Sequence, residues 1–236
     1  MALTFSQIEN HTLCISLLAP DSKVLDLGSN KGEFIRSLRR IRACTCFAVE
    51  PNPRLFEHLA RMPDIRALNY AVAGSAGEVD FHLADNDEAS SIVPDGEVVG
   101  GTTVRVKTLG LTDLLARLNV DYIDLLKVDI EGAEIEMFDA MQDSVASSFG
   151  QITVEFHDFC GVPVASVERV IKKLRRLGYA AIKFSRNSYG NVWLVNTRRL
   201  NVSQFDLAYA KYIYRNMAGA KRILARSILH PRSPQP

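Results

Sequence analysis

The sequence predicts an α/β fold: a mostly parallel, seven-stranded sheet with an antiparallel last strand and helices on both faces. Two observations carry this. Apolar, strand-like runs alternate with stretches of helical spacing from Lys23 to Leu177, the pattern of strand–helix–strand units whose crossovers cover both faces of a sheet. The pattern then closes with two strand-like runs, Tyr179–Phe184 and Asn191–Val195, joined only by Arg186–Gly190. So short a connection makes that final pair antiparallel.

Taken in order, Thr4–Leu18 reads as a capping helix within an N-terminal segment, 1–20. The main domain is expected at 21–197. Its first strand, Lys23–Leu27, runs into a glycine-bearing turn, Gly28–Gly32, and a helix at Glu33–Arg40. Cys44–Val49 is the next strand, broken by Glu50-Pro51-Asn52-Pro53, and Arg54–Arg61 the next helix. Ile65–Ala73 reads as a third strand, Gly74–Gly77 as a turn, and Glu78–Leu83 and Thr103–Thr108 as alternating strands. Asp85–Gly101 has no period and reads as a mobile loop, a candidate lid or wall of an acceptor pocket. Leu111–Leu118, Ala133–Met141 and Val164–Leu177 read as helices, the last stopped by Gly178; Ile123–Val128 and Gln151–Phe156 read as buried strands.

The chain has 236 residues and 47% hydrophobic content, enough for one domain with appendages and a core that needs no disulfide or structural metal. Cys14, Cys44, Cys46 and Cys160 fit neither a zinc ribbon nor a redox pair and read as reduced, mostly packed thiols. No leader pattern opens the chain, and polar residues interrupt every apolar run, so a cytoplasmic location is expected. The net charge of +1 is uneven. From Arg198 onward eight Lys or Arg face one acid, +7, leaving 20 basic and 26 acidic residues before it, −6. An acidic body argues against nucleic acid as partner, RNA methylation included.

In a doubly wound sheet the ligand lies beyond the carboxyl ends of the strands. The strongest signal there is Val24-Leu25-Asp26-Leu27-Gly28-Ser29-Asn30-Lys31-Gly32. Glycines let the backbone approach a ligand, and the following helix offers free N–H groups. Glu50, at the end of the next strand, can accept both hydroxyls of a ribose. A nicotinamide dinucleotide would want a third glycine for its pyrophosphate, which disfavours an NAD-dependent oxidoreductase. Asp26 suits a positive amino group instead. S-adenosylmethionine carries an amino-acid end and a sulfonium and no phosphate.

These stretches, with Val49-Glu50-Pro51-Asn52-Pro53, Asn69-Tyr70-Ala71-Val72, Leu126 through Glu134 and Val154-Glu155-Phe156-His157, resemble the FkbM-type methyltransferases. The resemblance spans roughly Lys23 to Val195, and its most specific element is Lys-x-Asp-x-Glu-Gly-x-Glu at 127–134. It implies a Rossmann-like class I methyltransferase fold with S-adenosylmethionine as donor. It also implies O-methylation of a sugar, a glycan or a glycosylated or polyketide-type small molecule. It assigns donor binding to Asp26, Gly28, Asn30, Gly32 and Glu50, with Asn69, Ala71 and Val72 near the adenine. A non-catalytic binding module on the same fold is the remaining alternative, against which the intact Asp26, Glu50 and Asp129 count.

Transfer of a methyl group to a hydroxyl needs alignment and a base. His157, with an unperturbed pKa of about 6.5, is the candidate base, and Asp129 is placed near the transferred methyl. Asp129, Glu131 and Asp158 are oxygen donors of the kind Mg2+ takes, although Glu131 and Glu134 equally suit a helix start. The tail, 198–236, reads as a basic amphipathic helix. Phe205, Tyr209, Tyr212, Ile213 and Met217 form its apolar stripe, Ile223, Leu224 and Ile228 extend it, and Gly219 is a break point. The stripe is expected to dock on the main domain or a second copy of the chain, or to contact a membrane surface through its basic residues. His230–Pro236 reads as frayed.

Overall fold

The computed structural model describes residues 3–83, 102–217 and 219. The expected loop at Asp85–Gly101, the tail's Ile223, Leu224 and Ile228 and its frayed end lie outside them. The chain opens with a hairpin, β1 (Phe5–Ile8) and β2 (His11–Cys14). Then follow β3 (Lys23–Leu27), α1 (Glu33–Ile41), β4 (Thr45–Val49), α2 (Pro53–Ala60), β5 (Ile65–Leu68), β6 (Ala71–Val72), β7 (Gly77–Leu83) and β8 (Thr102–Leu109). The second half holds α3 (Leu111–Leu118), β9 (Ile123–Val128), α4 (Glu134–Ala140), α5 (Asp143–Ala146), β10 (Phe149–Val154), α6 (Val164–Arg176), β11 (Tyr179–Lys183), β12 (Val192–Asn196) and α7 (Gln204–Ala208).

Seven strands form the central sheet in the order β11-β12-β10-β9-β3-β4-β5. β12 alone runs antiparallel, inserted between β10 and β11. The sheet is therefore the predicted one. The chain builds outward from β3 to β5, then returns to lay β9 on the other side of β3. That reversal opens a crevice at the carboxyl ends of β3, β4 and β9.

Alternation along the strands sorts the core. Leu25, Leu27, Phe47, Val49, Leu126 and Val128 pack with α3, α4 and α6 on one face. Val24, Cys46, Ala48 and Leu125 pack with Phe34, Ile35 and Leu38 of α1 and with Ile8 and Leu13 of the hairpin on the other. Both faces are thus sealed, as buried parallel strands require.

Two readings are corrected. Residues 4–18 form a hairpin and a short 3-10 turn, not a helix. Glu9 turns the chain with a left-handed φ of 52°, and Ile8 pairs with His11 across a two-residue loop. Side-chain amides then fix the hairpin to the sheet. Gln151 accepts from the Cys14 amide at 3.0 Å and donates back to the Cys14 carbonyl at 3.0 Å. Asn191 donates to the Thr12 hydroxyl at 2.9 Å.

The expected strand Ile65–Ala73 is two strands. β5 belongs to the central sheet, and β6 crosses to a second sheet, β6-β8-β7. In the tail the stripe Phe205, Tyr209, Tyr212, Ile213 and Met217 is exposed. Leu207, Ala210 and Tyr214, a second stripe of the same spacing, pack instead on Phe184 and Trp193. Tyr214 stacks on Phe5 at 4.8 Å, so the hairpin decides which side of the tail is covered. No helix among the described residues is long and apolar enough to cross a membrane. Cys14, Cys44 and Cys46 are buried and Cys160 exposed, all four as free thiols.

Candidate active site

A cleft of about 520 Å3 opens at the carboxyl ends of the strands. Strand register places Asp26 level with Ala48 and Lys127, and Lys127 level with Thr153. Side chains two apart share a face. Asp26 and Lys127 therefore share the face of the sheet covered by the hairpin, and Glu50, Asp129, Glu155 and His157 follow the ends of β4, β9 and β10 into the cleft.

The β3–β4 half of the cleft is made mainly of backbone. Gly28 has φ 73°, and a Cβ there would lie 1.8 Å from the Asp129 carbonyl oxygen. Only glycine lets β3 turn so close to the end of β9. Asn30 continues the turn with φ 48°. Its amide donates to Glu50 Oε2 at 2.8 Å, and the Asn52 amide donates to Glu50 Oε1 at 2.9 Å. Burial pushes the Glu50 carboxyl up to about 7 against the pull of those two amides. Each oxygen keeps a further lone pair for a ligand hydroxyl. Asn69 donates to the carbonyls of Glu50 and Pro51 at 2.8 and 2.9 Å, fixing the loop after β4. Gly28, Asn30, Glu50, Ala71 and Val72 line the cleft; Gly32 and Asn69 do not.

Asp26 does not reach the cleft. It is fully buried, and its carboxylate lies 3.1 Å from the Lys127 ammonium. Burial pushes the Asp26 carboxyl up to about 6, and Lys127 pulls it back. Lys127 also donates to the Gly28 carbonyl at 2.7 Å and lies 3.5 Å from Asp129. The reading of Asp26 as the partner of a ligand amine is thereby corrected. Its charge is taken by a lysine of β9, and Lys127 is the group that meets the cleft.

The β9–β10 half is made of charged side chains. Burial works against a charge on Asp129, but Lys127 and a hydrogen bond from His11 hold its carboxyl well below the usual range. His11, 3.4 Å from Asp129 and 3.4 Å from the Thr153 hydroxyl, is kept neutral chiefly by burial. Glu134, fully buried, accepts from the amides of Ile130 and Gly132 and meets His157 Nδ1 at 3.0 Å. Glu131 Oε2 lies 3.1 Å from His157 Nε2, and Asp129 Oδ1 3.7 Å away. Burial opposes a charge on His157, but hydrogen bonds and attraction from Glu131 and Glu134 outweigh it and raise its pKa to about 11. That shift favours the protonated imidazole, so His157 is less suited to accept a proton than an unperturbed pKa suggests.

Glu155, on the same wall, has its carboxyl pushed up to about 7 by burial and by Asp129. Asp158 turns away and accepts from the Tyr189 amide at 2.9 Å. Asp129, Glu131 and Asp158 therefore do not assemble as a Mg2+ site. Asp129 instead shares one donor cluster with Glu131 and His157 and another with His11 and Glu155, the ligand atoms of each lying within 4.8 Å of one another; with Lys127 and His157 beside Asp129, neither is the all-oxygen set that Mg2+ takes.

Several lining residues escape sequence reasoning, His11, Lys127 and Phe159 among them. His11 arrives on the hairpin, Lys127 stands out in the sequence only as part of a motif, and Phe159 follows β10. A lysine inside the apolar run Leu125-Leu126-Lys127-Val128 is the one available signal, because a buried charge requires a partner.

The sequence profile of the methyltransferase FkbM domain matches residues 26–181. The hexuronic acid methyltransferase AglP of Haloferax volcanii is 28% identical over 168 residues, 66% of this chain and 63% of AglP. The 2-O-methyltransferase NoeI of Sinorhizobium fredii is 26% identical over 213 residues, 82% of this chain and 87% of NoeI. A crystal structure of an FkbM methyltransferase from Methylobacillus flagellatus superposes with a TM-score of 0.52 at 12% identity, covering 75% of this chain and 44% of that one. The chain thus spans less than two thirds of AglP and under half of the solved chain; that structural likeness speaks to the fold alone.

Proposed function

Because the chain belongs to the FkbM methyltransferase family, we propose that it is an S-adenosylmethionine-dependent O-methyltransferase acting on a hydroxyl of a sugar, glycan or glycosylated small molecule. The observation that carries this is Glu50. A carboxylate buried at the tip of β4 is braced by two backbone amides and presented to a cleft beside a glycine turn that admits no side chain. That is an adenosine-binding corner without a phosphate cradle. The relatives' names add support, one specifying a hexuronic acid and the other 2-O-methylation.

Bound in the cleft, S-adenosylmethionine supplies a methyl carbon already activated by its sulfonium. The chain's residues do the rest. Glu50 accepts the ribose hydroxyls, and Ala71 and Val72 give the adenine an apolar wall. Lys127 ties the Gly28 carbonyl to Asp129, holding the two halves of the cleft in register. Asp129 and His157 frame the acceptor oxygen. Glu155 takes the hydroxyl proton, as its carboxyl is balanced near neutrality, where a base works best.

Calorimetric titration of the protein with S-adenosylhomocysteine and, separately, with NAD tests this. Saturable binding of the first and none of the second is expected. Binding of NAD alone would overturn the reading.

A further inference from the structure

The acceptor half of the cleft has a chemistry narrower than a bare preference for hydroxyls, and its role as acceptor site rests on the methyl-transfer reading. Phe159 lines the cleft yet is 57% exposed, and its ring centroid lies 5.3 Å from that of the His157 imidazole. A large aromatic face left in water on the wall of a polar cleft suits a ligand with one flat apolar face and hydrogen-bonding groups at its edge. A pyranose ring has that shape.

Beside Phe159 stand the carboxylates of Asp129, Glu131 and Glu155. Among the described residues the cations lining the cleft are Lys31, on the glycine turn of the donor half, and Lys127 and His157 in this half, the latter two both engaged. Lys127 is shared between Asp26, Asp129 and the Gly28 carbonyl. His157 is held between Glu131 and Glu134. Acids thus outnumber cations where the acceptor must sit. Hydroxyl and ammonium hydrogens find acceptors there, and a further carboxylate meets like charge with no unengaged cation among the described residues of this half to receive it.

We propose that this half of the cleft binds an uncharged or amine-bearing sugar ring, stacked on Phe159 with its edge groups donating to Glu131 and Glu155, and that it rejects hexuronates. A hexuronic acid, the substrate class named for one relative, is the class this cleft disfavours. Specificity here comes from a repulsive element as much as from an attractive one.

The test uses the full chain loaded with S-adenosylhomocysteine and three methyl glycosides, a hexoside, a 2-aminohexoside and a hexuronide. Their affinities are measured by saturation-transfer NMR at low salt. The first two should bind at least about tenfold more tightly than the hexuronide. Phe159→Ala should weaken both by about tenfold, and Glu131→Gln should narrow the gap to the hexuronide. Melting curves and the S-adenosylhomocysteine titration report whether each variant is folded. Equal or tighter binding of the hexuronide overturns the proposal, as does no glycoside binding by a protein that binds S-adenosylhomocysteine. Failure to bind S-adenosylhomocysteine at all would instead remove the methyl-transfer reading beneath it.

Discussion

The two halves of the cleft are built by different means. At the tips of β3 and β4 the ligand surface is backbone, a glycine turn whose amides and carbonyls are fixed by Glu50, Asn52 and Asn69. At the tips of β9 and β10 it is a lattice of acidic and basic side chains, Asp129, Glu131, Glu134 and His157, with Lys127 joining it to the other half. A donor that never changes can be met by rigid backbone. An acceptor hydroxyl that must lose a proton needs groups whose charge depends on their neighbours. The contrast separates what should fail when each half is damaged.

The largest effect is expected where the halves join. Lys127→Met strands Asp26, which has no exposure and no other cation in contact. Breaking a buried pair by removing one partner costs about 3–5 kcal/mol, read as a lowered melting temperature. Adding Asp26→Asn should restore most of it, since a neutral pair leaves no buried charge. The single variant should also recover as pH falls, and from a higher pH than the value of about 6 at which Asp26 titrates beside Lys127, because the lysine that holds its carboxyl down is gone. A loss that the second substitution does not repair would mean that Lys127 stabilises through its carbonyl contacts rather than through Asp26.

A smaller and purely kinetic effect is expected on the acceptor side. Glu155→Gln should lower kcat by about 100-fold or more, the usual worth of a positioned base, with S-adenosylhomocysteine affinity unchanged. In the wild type kcat should rise with pH through about 7, as Glu155 becomes ionised, and that limb should vanish in the variant. A limb that survives in Glu155→Gln would shift the role of base to another group of the cleft.

The same division explains what can be read in the sequence. The donor half is local. Gly28 through Gly32 and Glu50 through Asn52 sit at strand ends that apolar runs announce, and β3 has in the structure the bounds that the sequence predicts. The acceptor half is assembled from afar. His11 depends on a hairpin whose Ile8, Ile15 and Leu18 also fit a helix, and which is fixed only by Gln151 and Asn191 far along the chain. Asp26 looks from the sequence like a ligand contact because nothing local reveals that β9 sets Lys127 against it. His157 looks like an ordinary histidine because the carboxylates that raise its pKa gather only on folding, two from the turn into α4. The tail shows the limit of periodicity. Two stripes of equal spacing are available, and the sheet edge selects the one through Leu207, Ala210 and Tyr214.

The smallest effect should appear as a pH dependence of donor binding, and it isolates Glu50. Folding raises this carboxyl from its ordinary value to about 7, chiefly by burial. The folded, unliganded chain therefore holds the proton more tightly than the unfolded one. The stability that Glu50 contributes is full below its ordinary carboxyl range and is lost as pH rises through about 7. Binding runs the other way, because two ribose hydroxyls donate to the ionised form and must displace that proton. Affinity for S-adenosylhomocysteine should accordingly be about thirtyfold weaker at pH 5.5 than at pH 8, measured by calorimetry in buffers of different ionisation enthalpy. One proton should be released on binding near pH 6. In Glu50→Gln the affinity should be low at every pH and the proton release absent. A flat profile in the wild type would place the ribose away from Glu50 and leave the donor half without its principal contact.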